Sequence, residues 1–312
     1  MKIKGVFLDR DSLGLDLDMA VLNALPIDWV YYSHTAADQT VERCLEADIV
    51  ISNKVVLHFD IIQQLPRLKH IAVAATGTNN VDKLAAAQAN ISVSNIKDYA
   101  GSSVAQLVFA LLLEMMTHAN KYANLVKQGQ WSKSKSFCLL DYPISELAGK
   151  TLGLIGYGTL AKSVEHLARA FGMKILIAER KSSLEIRAGR TSFDGVIKQA
   201  DVISLHCPLD DNTKALISTA EFESMKPTAL LINTARGGVV DELALIQALN
   251  NNEISAAATD VLNIEPPPED HPLIDSMPEN LVVTPHIAWA SIEARTRLLL
   301  QLAENIEQHV LN

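Results

Sequence analysis

The chain predicts an α/β protein built from two doubly wound parallel sheets. Three observations carry this. Short apolar runs of strand length alternate with stretches of helical periodicity along almost the whole sequence. A strand, a glycine turn, a helix, a second strand and an acid follow one another between Thr151 and Lys181. At 312 residues the chain is long enough to bury two cores.

Up to about Ile96, strands are expected at Ile3 to Leu8, Trp29 to Tyr32, Ile49 to Ser52, His70 to Ala74 and Ile91 to Ser94. Helical patterns separate them around Met19 to Leu25, Val41 to Ala47, Ile61 to Leu65 and Lys83 to Ala87. Ligands on such sheets bind beyond the C-terminal ends of the strands. Lys54 follows one of those ends, and Thr76 and Gly77 follow another. There the glycine loop can offer N–H groups to a carboxylate and the lysine can offer charge, although a polar turn and a solvated lysine would look the same. Gly101, Ser102 and Ser103 read as a capped start to one long helix from Val104 to about Val126. Its most apolar part, Val104 to Met116, is interrupted by Gln106 and Glu114 and is too short to span a bilayer, so it reads as a buried helix. Residues 129–149 read as an irregular connector or arm.

In TLGLIGYGTLAKSVEHLARAFGMKILIAERK, Gly156 permits a tight turn and Gly158 leaves room for a pyrophosphate at the backbone. Ala161 lets the helix lie close to its strand. Tyr157, Thr159 and Leu160 complete the turn and the helix start, whose free N–H groups and dipole favour phosphate. Glu179 ends the second strand where a carboxylate accepting from ribose hydroxyls is expected. This is the Rossmann type of dinucleotide unit. The acid favours NAD over NADP, with Arg180 and Lys181 softening that preference. Further strands are expected at Val202 to His206, Ala229 to Asn233, Ser255 to Thr259 and Leu281 to Thr284. Helices are expected at Phe193 to Gln199, Ala220 to Met225, Glu242 to Asn250 and from Ser291 onward.

A net charge of −9 without a cluster of Lys and Arg argues against nucleic-acid binding. Cys44, Cys138 and Cys207 have no metal-like spacing, which points to no metal site, and their odd count suits a reducing cytoplasm. The start MKIKGVFLD enters a strand directly, without signal-peptide architecture.

The chemistry gathers at late strand ends: Arg236 in INTARGG, Glu265 in DVLNIEPPP and His286 in TPHIAWAS. An arginine presents a planar fork to a carboxylate, and a histidine beside a glutamate is a tunable acid near neutral pH. Singly, these could be a surface ion pair, a solvated loop acid and a capping residue. Consecutive strand ends would deliver all three to one rim.

With AATGTNNVD, SSVAQL, GKTLGLIGYG, ADVISLHCPL, INTARGGVVDE, TDVLNIEPPP and TPHIAWAS in order along nearly its whole length, the chain resembles the D-specific 2-hydroxyacid dehydrogenases. It looks most like their glycerate dehydrogenase or hydroxypyruvate reductase branch. The resemblance implies an NAD-dependent exchange of hydride with a 2-oxo or 2-hydroxy acid such as hydroxypyruvate or glyoxylate. It implies that Arg236 binds the substrate carboxylate and carbonyl, that His286 is the proton donor and that Glu265 is its partner. Asp260 would hold the nicotinamide amide, and His206, Cys207, Pro208, Thr213, Thr234 and Ala235 would line the cofactor. It also implies a homodimer and two Rossmann/flavodoxin-like domains with the active site in the cleft between them. The substrate-binding domain would be 1–98 with 290–312, and the NAD-binding domain 99–289. A nucleotide-sensing binding protein of the corepressor kind would carry the same three residues on the same fold. A methyltransferase would not explain them.

Overall fold

The computed structural model describes residues 2–311. The chain forms two compact units, one running to Ala100 and resuming at Ala290, the other spanning Gly101–Trp289.

In the first unit, strands β1 (Ile3–Phe7), β2 (Ile27–Tyr31), β3 (Ile49–Ser52), β4 (His70–Val73) and β5 (Ser92–Asn95) pair in parallel in the order β2-β1-β3-β4-β5. Every residue of β3 and β4 is buried, as central parallel strands covered on both faces require. Leu8, Val50, Ile62, Ile71 and Ile91 belong to one core cluster. The strand order reverses between β1 and β3, which opens a crevice at their C-terminal ends. Asp9, just beyond β1, accepts N–H bonds from Asn53 (2.9 Å), Lys54 (2.6 Å) and Val55 (3.2 Å), so it shapes the loop after β3. Burial nevertheless pushes its carboxyl up from the ordinary value. The returning helix Ile292–Ile306 carries Arg295, whose guanidinium grips Asp16 through two bonds of 2.6 and 2.8 Å.

The second unit contains β6 (Thr151–Ile155), β7 (Lys174–Ile177), β8 (Val202–Leu205), β9 (Leu230–Asn233), β10 (Ala256–Thr259) and β11 (Leu281–Val283), parallel throughout in the order β11-β10-β9-β8-β6-β7. Here the order reverses between β6 and β8, beside the glycine turn. Val196, Ile203, Leu205, Phe222, Leu231 and Ile254 share its core.

The expected single helix from Val104 to Val126 is two helices, Gly101–Thr117 and Ala119–Lys127, bent by 59° at His118, whose φ is +51°. The first half buries Val104, Val108, Leu112 and Met116, whereas the second buries no residue, so the two halves answer to different surroundings. The expected serine cap is also absent. The helix begins at Gly101, and Ser103 lies inside it with its Oγ donating to the Ala288 carbonyl at 2.7 Å. Among the described residues, no single helix is long and apolar enough to cross a membrane. Residues 129–149 are irregular except for the short helix Gln130–Lys133.

Candidate active site

The glycine turn after β6 is dictated by contact. Gly156 has φ +86°, and a Cβ there would stand 2.6 Å from the Cys207 nitrogen and from the His206 carbonyl. Gly158 is different. Its backbone is extended, and a Cβ would meet nothing within 4 Å, so its bareness leaves open space at the helix start. The helix Thr159–Ala170 buries Ala161, Val164 and Ala168, while Leu160 is half-buried and Phe171 stacks on Phe109 at 5.2 Å. The Tyr157 hydroxyl donates to Glu165.

A cavity of about 640 Å³ opens at the ends of β6, β7 and β8, with Gly156, Tyr157, Glu179, Cys207, Pro208 and Thr213 in its wall. Thr213 is fixed there by its Oγ1, which donates to the Pro208 carbonyl at 2.7 Å and accepts from the Asp210 N–H at 2.8 Å. Burial pushes the Cys207 thiol up to about 11. His206 shares a 2.9 Å bond between Nε2 and Ser204 Oγ, and burial pushes its ring down to about 4. Its Nδ1 and the Oγ1 of Thr234 are buried without a hydrogen-bond partner. Buried polar atoms are ordinarily paired. Two orphans at the ends of β8 and β9, with an open cradle at Gly158, fit a polar dinucleotide.

Glu179 stands where the sequence places it, one residue beyond Ala178, and is 4% exposed. It has a partner that sequence reading did not foresee. Oε1 accepts from the Arg180 N–H (2.9 Å) and Arg187 Nη2 (2.6 Å), and Oε2 from the Arg187 N–H (3.3 Å) and Nε (2.7 Å). The Arg187 guanidinium holds this carboxyl well below its usual range, at about 2. Arg190 also lines the cavity. Neither arginine lies in a periodic element. The signal available in the sequence was only that Arg180, Lys181, Arg187 and Arg190 follow the acid within one irregular stretch.

β9, β10 and β11 are neighbours, so Arg236, Glu265 and His286, each following one of them, reach the same rim of the sheet. Arg236 is exposed, with Nη1 donating to the Ala235 carbonyl at 2.6 Å. Asn233 holds this turn, donating to the Arg236 carbonyl at 2.9 Å and accepting from the Ala235 N–H at 3.0 Å. Gly237 allows the turn to press on the next loop, since a Cβ there would come within 2.0 Å of the Leu262 carbonyl carbon. Glu265 accepts from the Leu262 N–H at 2.9 Å through Oε1 and meets His286 Nδ1 at 2.6 Å through Oε2. This pair is half-buried, at 34% and 26% side-chain exposure, so both groups remain open to a small ligand.

His286 adopts φ +55°, a conformation that needs support in a residue other than glycine. Asp260 supplies it. This buried carboxylate accepts from Thr284 Oγ1 (2.6 Å), the Ile287 N–H (2.9 Å) and the Ala288 N–H (2.8 Å), embracing the histidine from both sides in sequence. Three of its roughly four acceptor positions are thus given to the histidine loop. Trp289 Nε1 donates to the His286 carbonyl at 2.9 Å. Lys54, Thr76 and Gly77 stand in the other unit, in the loops after β3 and β4. Lys54 and Thr76 are exposed, and the Thr76 carbonyl accepts from Asn95 Nδ2 at 2.7 Å.

Residues 109–288 match the family model for the NAD-binding domain of D-isomer-specific 2-hydroxyacid dehydrogenases. The chain is 45% identical over 311 residues to a glycerate dehydrogenase of Methylorubrum extorquens, covering 99% of this chain and 97% of that one. It is 37% identical to a hydroxypyruvate reductase of Blautia hydrogenotrophica, covering 94% and 92%. Among solved structures it is similar to an acyclic imino acid reductase in complex with NADPH and D-Arg, with a TM-score of 0.86, 29% identity and coverage of 99% and 97%.

Proposed function

Because the chain belongs to the D-isomer-specific 2-hydroxyacid dehydrogenase family, we propose that it reduces a small 2-oxo acid, hydroxypyruvate or glyoxylate, to the corresponding 2-hydroxy acid, and runs the reverse oxidation. The relay from the Leu262 N–H through Glu265 to His286, on the strand ends next to Arg236, is the observation that carries this reading. Relatives named as glycerate dehydrogenase, hydroxypyruvate reductase and glyoxylate reductase support it.

When bound, the nicotinamide exchanges a hydride with C2 of the substrate. Arg236 takes the substrate carboxylate with its planar fork, which fixes the face that C2 presents. Glu265 occupies His286 Nδ1, so Nε2 is the ring atom that gives a proton to the C2 oxygen during reduction and takes it back during oxidation. Hydride and proton together balance the conversion of carbonyl to alcohol. Such general acid catalysis contributes roughly 10²- to 10⁴-fold. Gly158 and the helix start would hold the pyrophosphate on the turn that Gly156 permits, and Thr234 Oγ1 and His206 Nδ1 would give the cofactor polar partners. Lys54 and the Thr76–Gly77 loop, at strand ends of the first unit, offer charge and N–H donors to an anion. The test is loss of reduced-nicotinamide absorbance when hydroxypyruvate or glyoxylate is added. Absence of turnover with both acids would overturn the assignment.

The cytoplasm as compartment and a homodimer as working form belong to the same proposal. Trp131, Phe137, Leu140 and Ile144 are 53%, 90%, 77% and 57% exposed within residues 129–149, an apolar arm suited to a second copy. Sedimentation should give twice the chain mass, and Phe137→Asp with Leu140→Asp should return it to one.

A further inference from the structure

We infer that the adenosine end of the cavity is a binding site for a 2′-phosphate, formed by Arg187 and Arg190 with Arg180 and Lys181, so that the protein uses NADPH at least as well as NADH. This rests on the dinucleotide reading above and deepens it.

A carboxylate can select a ribose diol only if it has acceptor positions left for the hydroxyl donors. It offers about four. Glu179 makes four hydrogen bonds, three of them from Arg187 and one from the Arg180 N–H, and Arg190 Nε lies 4.0 Å from Oε2 as well. Replacing the two charge-assisted bonds of the guanidinium fork by bonds from neutral hydroxyls exchanges stronger interactions for weaker ones. The feature that reads in sequence as an NAD selector is therefore already spent within the protein.

The same contact leaves cations in the wall. Charged groups facing the cavity are Arg180, Lys181, Arg187 and Arg190 against Glu179 and Asp210, an excess of positive charge. Lys181 Nζ is paired with Glu221 at 2.7 Å, so the excess rests on Arg180, Arg187 and Arg190. The Arg187 side chain is 58% exposed and gives only Nε and Nη2 to Glu179, so its Nη1 edge is available to a second anion. A 2′-phosphate would meet these groups with ionic hydrogen bonds that a bare 2′-hydroxyl cannot make.

The test reads binding without turnover. Calorimetric titration of the whole protein with 2′,5′-ADP and with 5′-AMP should show the former binding about tenfold tighter or more, the scale of one added charge-assisted contact, with an advantage that shrinks as salt is raised. Titration with NADPH and NADH, and their kcat/KM values, should follow the same order. Arg187→Ala should erase the advantage of 2′,5′-ADP while leaving 5′-AMP unchanged or tighter, because Glu179 is released. Glu179→Gln, which frees Arg187, should move the ratio the other way and guards against a folding defect in the first variant. Equal or tighter binding of 5′-AMP by the wild type, or a ratio indifferent to Arg187, would overturn the proposal and leave the dinucleotide reading standing. Failure of all four nucleotides to bind would overturn both.

Discussion

Asp260 and Arg236 show how single side chains divide positioning from binding. Asp260 takes three donors from residues 284, 287 and 288 and so fixes the strained turn at His286. In Asp260→Asn one carboxylate oxygen becomes an N–H donor aimed at other donors, and a buried N–H is left unpaired at a cost of about 1–3 kcal/mol. We expect kcat to fall roughly ten- to hundredfold, in the range lost when an orienting neighbour of a reactive histidine is removed, with a lowered melting temperature. Unchanged stability together with a rise only in the KM for NADH would instead favour a direct hold on the nicotinamide amide. At Arg236 charge alone is insufficient. Arg236→Lys keeps a cation but not a fork, so substrate KM should rise and kcat should drop, by about 10²-fold in kcat/KM; kinetics near those of the wild type would remove Arg236 from the site. The positions of Arg236, Glu265 and His286 were legible because each follows an apolar run of strand length. The grip of Asp260 and the arginine on Glu179 were not, since both depend on irregular loops that only the folded backbone brings within reach.

At the scale of elements, the parallel strands were legible to within a residue or two because buried parallel strands read as continuous apolar runs. The break at His118 was not, because apolar periodicity continues across it and the left-handed residue is not a glycine. The glycine turn offers a paired experiment, since the same substitution at Gly156 and Gly158 meets opposite surroundings. Gly156→Ala puts a Cβ against the His206–Cys207 backbone at φ +86° and should cost about 2 kcal/mol or more, the left-handed penalty plus a backbone shift. Gly158→Ala meets open space. It should leave the melting temperature unchanged and weaken dinucleotide binding by at least about tenfold, because the methyl takes room that the pyrophosphate needs. Equal loss of stability in both variants would show that Gly158 serves the fold rather than a ligand.

At the scale of the whole molecule, each unit contains a histidine whose ring is kept neutral by desolvation, and these two make the fold sensitive to mild acid. His70 in the first is pushed down to about 4 by burial and by the His309 ring stacked 5.0 Å away, and His206 in the second to about 4 by burial. Both lie below the ordinary 6.5, so the unfolded chain binds more protons as pH falls through that value. Their stabilising share is complete above pH 6.5 and is lost progressively toward pH 4, at up to about 1.4 kcal/mol per pH unit for each. Asp16 and Glu179 have carboxyls held at about 2 by arginines, so their shares are present above the ordinary carboxylate range and vanish only in stronger acid. Urea unfolding at pH 7, 6 and 5 should therefore show falling stability, and His70→Gln should flatten the dependence for the first unit. A flat profile in the wild type would show that neither ring resists protonation.

The 2.7 Å bond from Ser103 to the Ala288 carbonyl ties the beginning of the second unit to its end. A stretch of nearly two hundred residues thus leaves and rejoins its host chain at one spot. In genetic terms it is a cassette: a single cut in a gene for the first unit accommodates the whole of it, with no need to move any other part of either fold. Exchange of such cassettes between hosts would replace the whole sheet that carries the glycine turn without redrawing the sheet that carries Lys54. The serine that marks the seam is then a better guide to where a chimaera should be joined than any feature of composition.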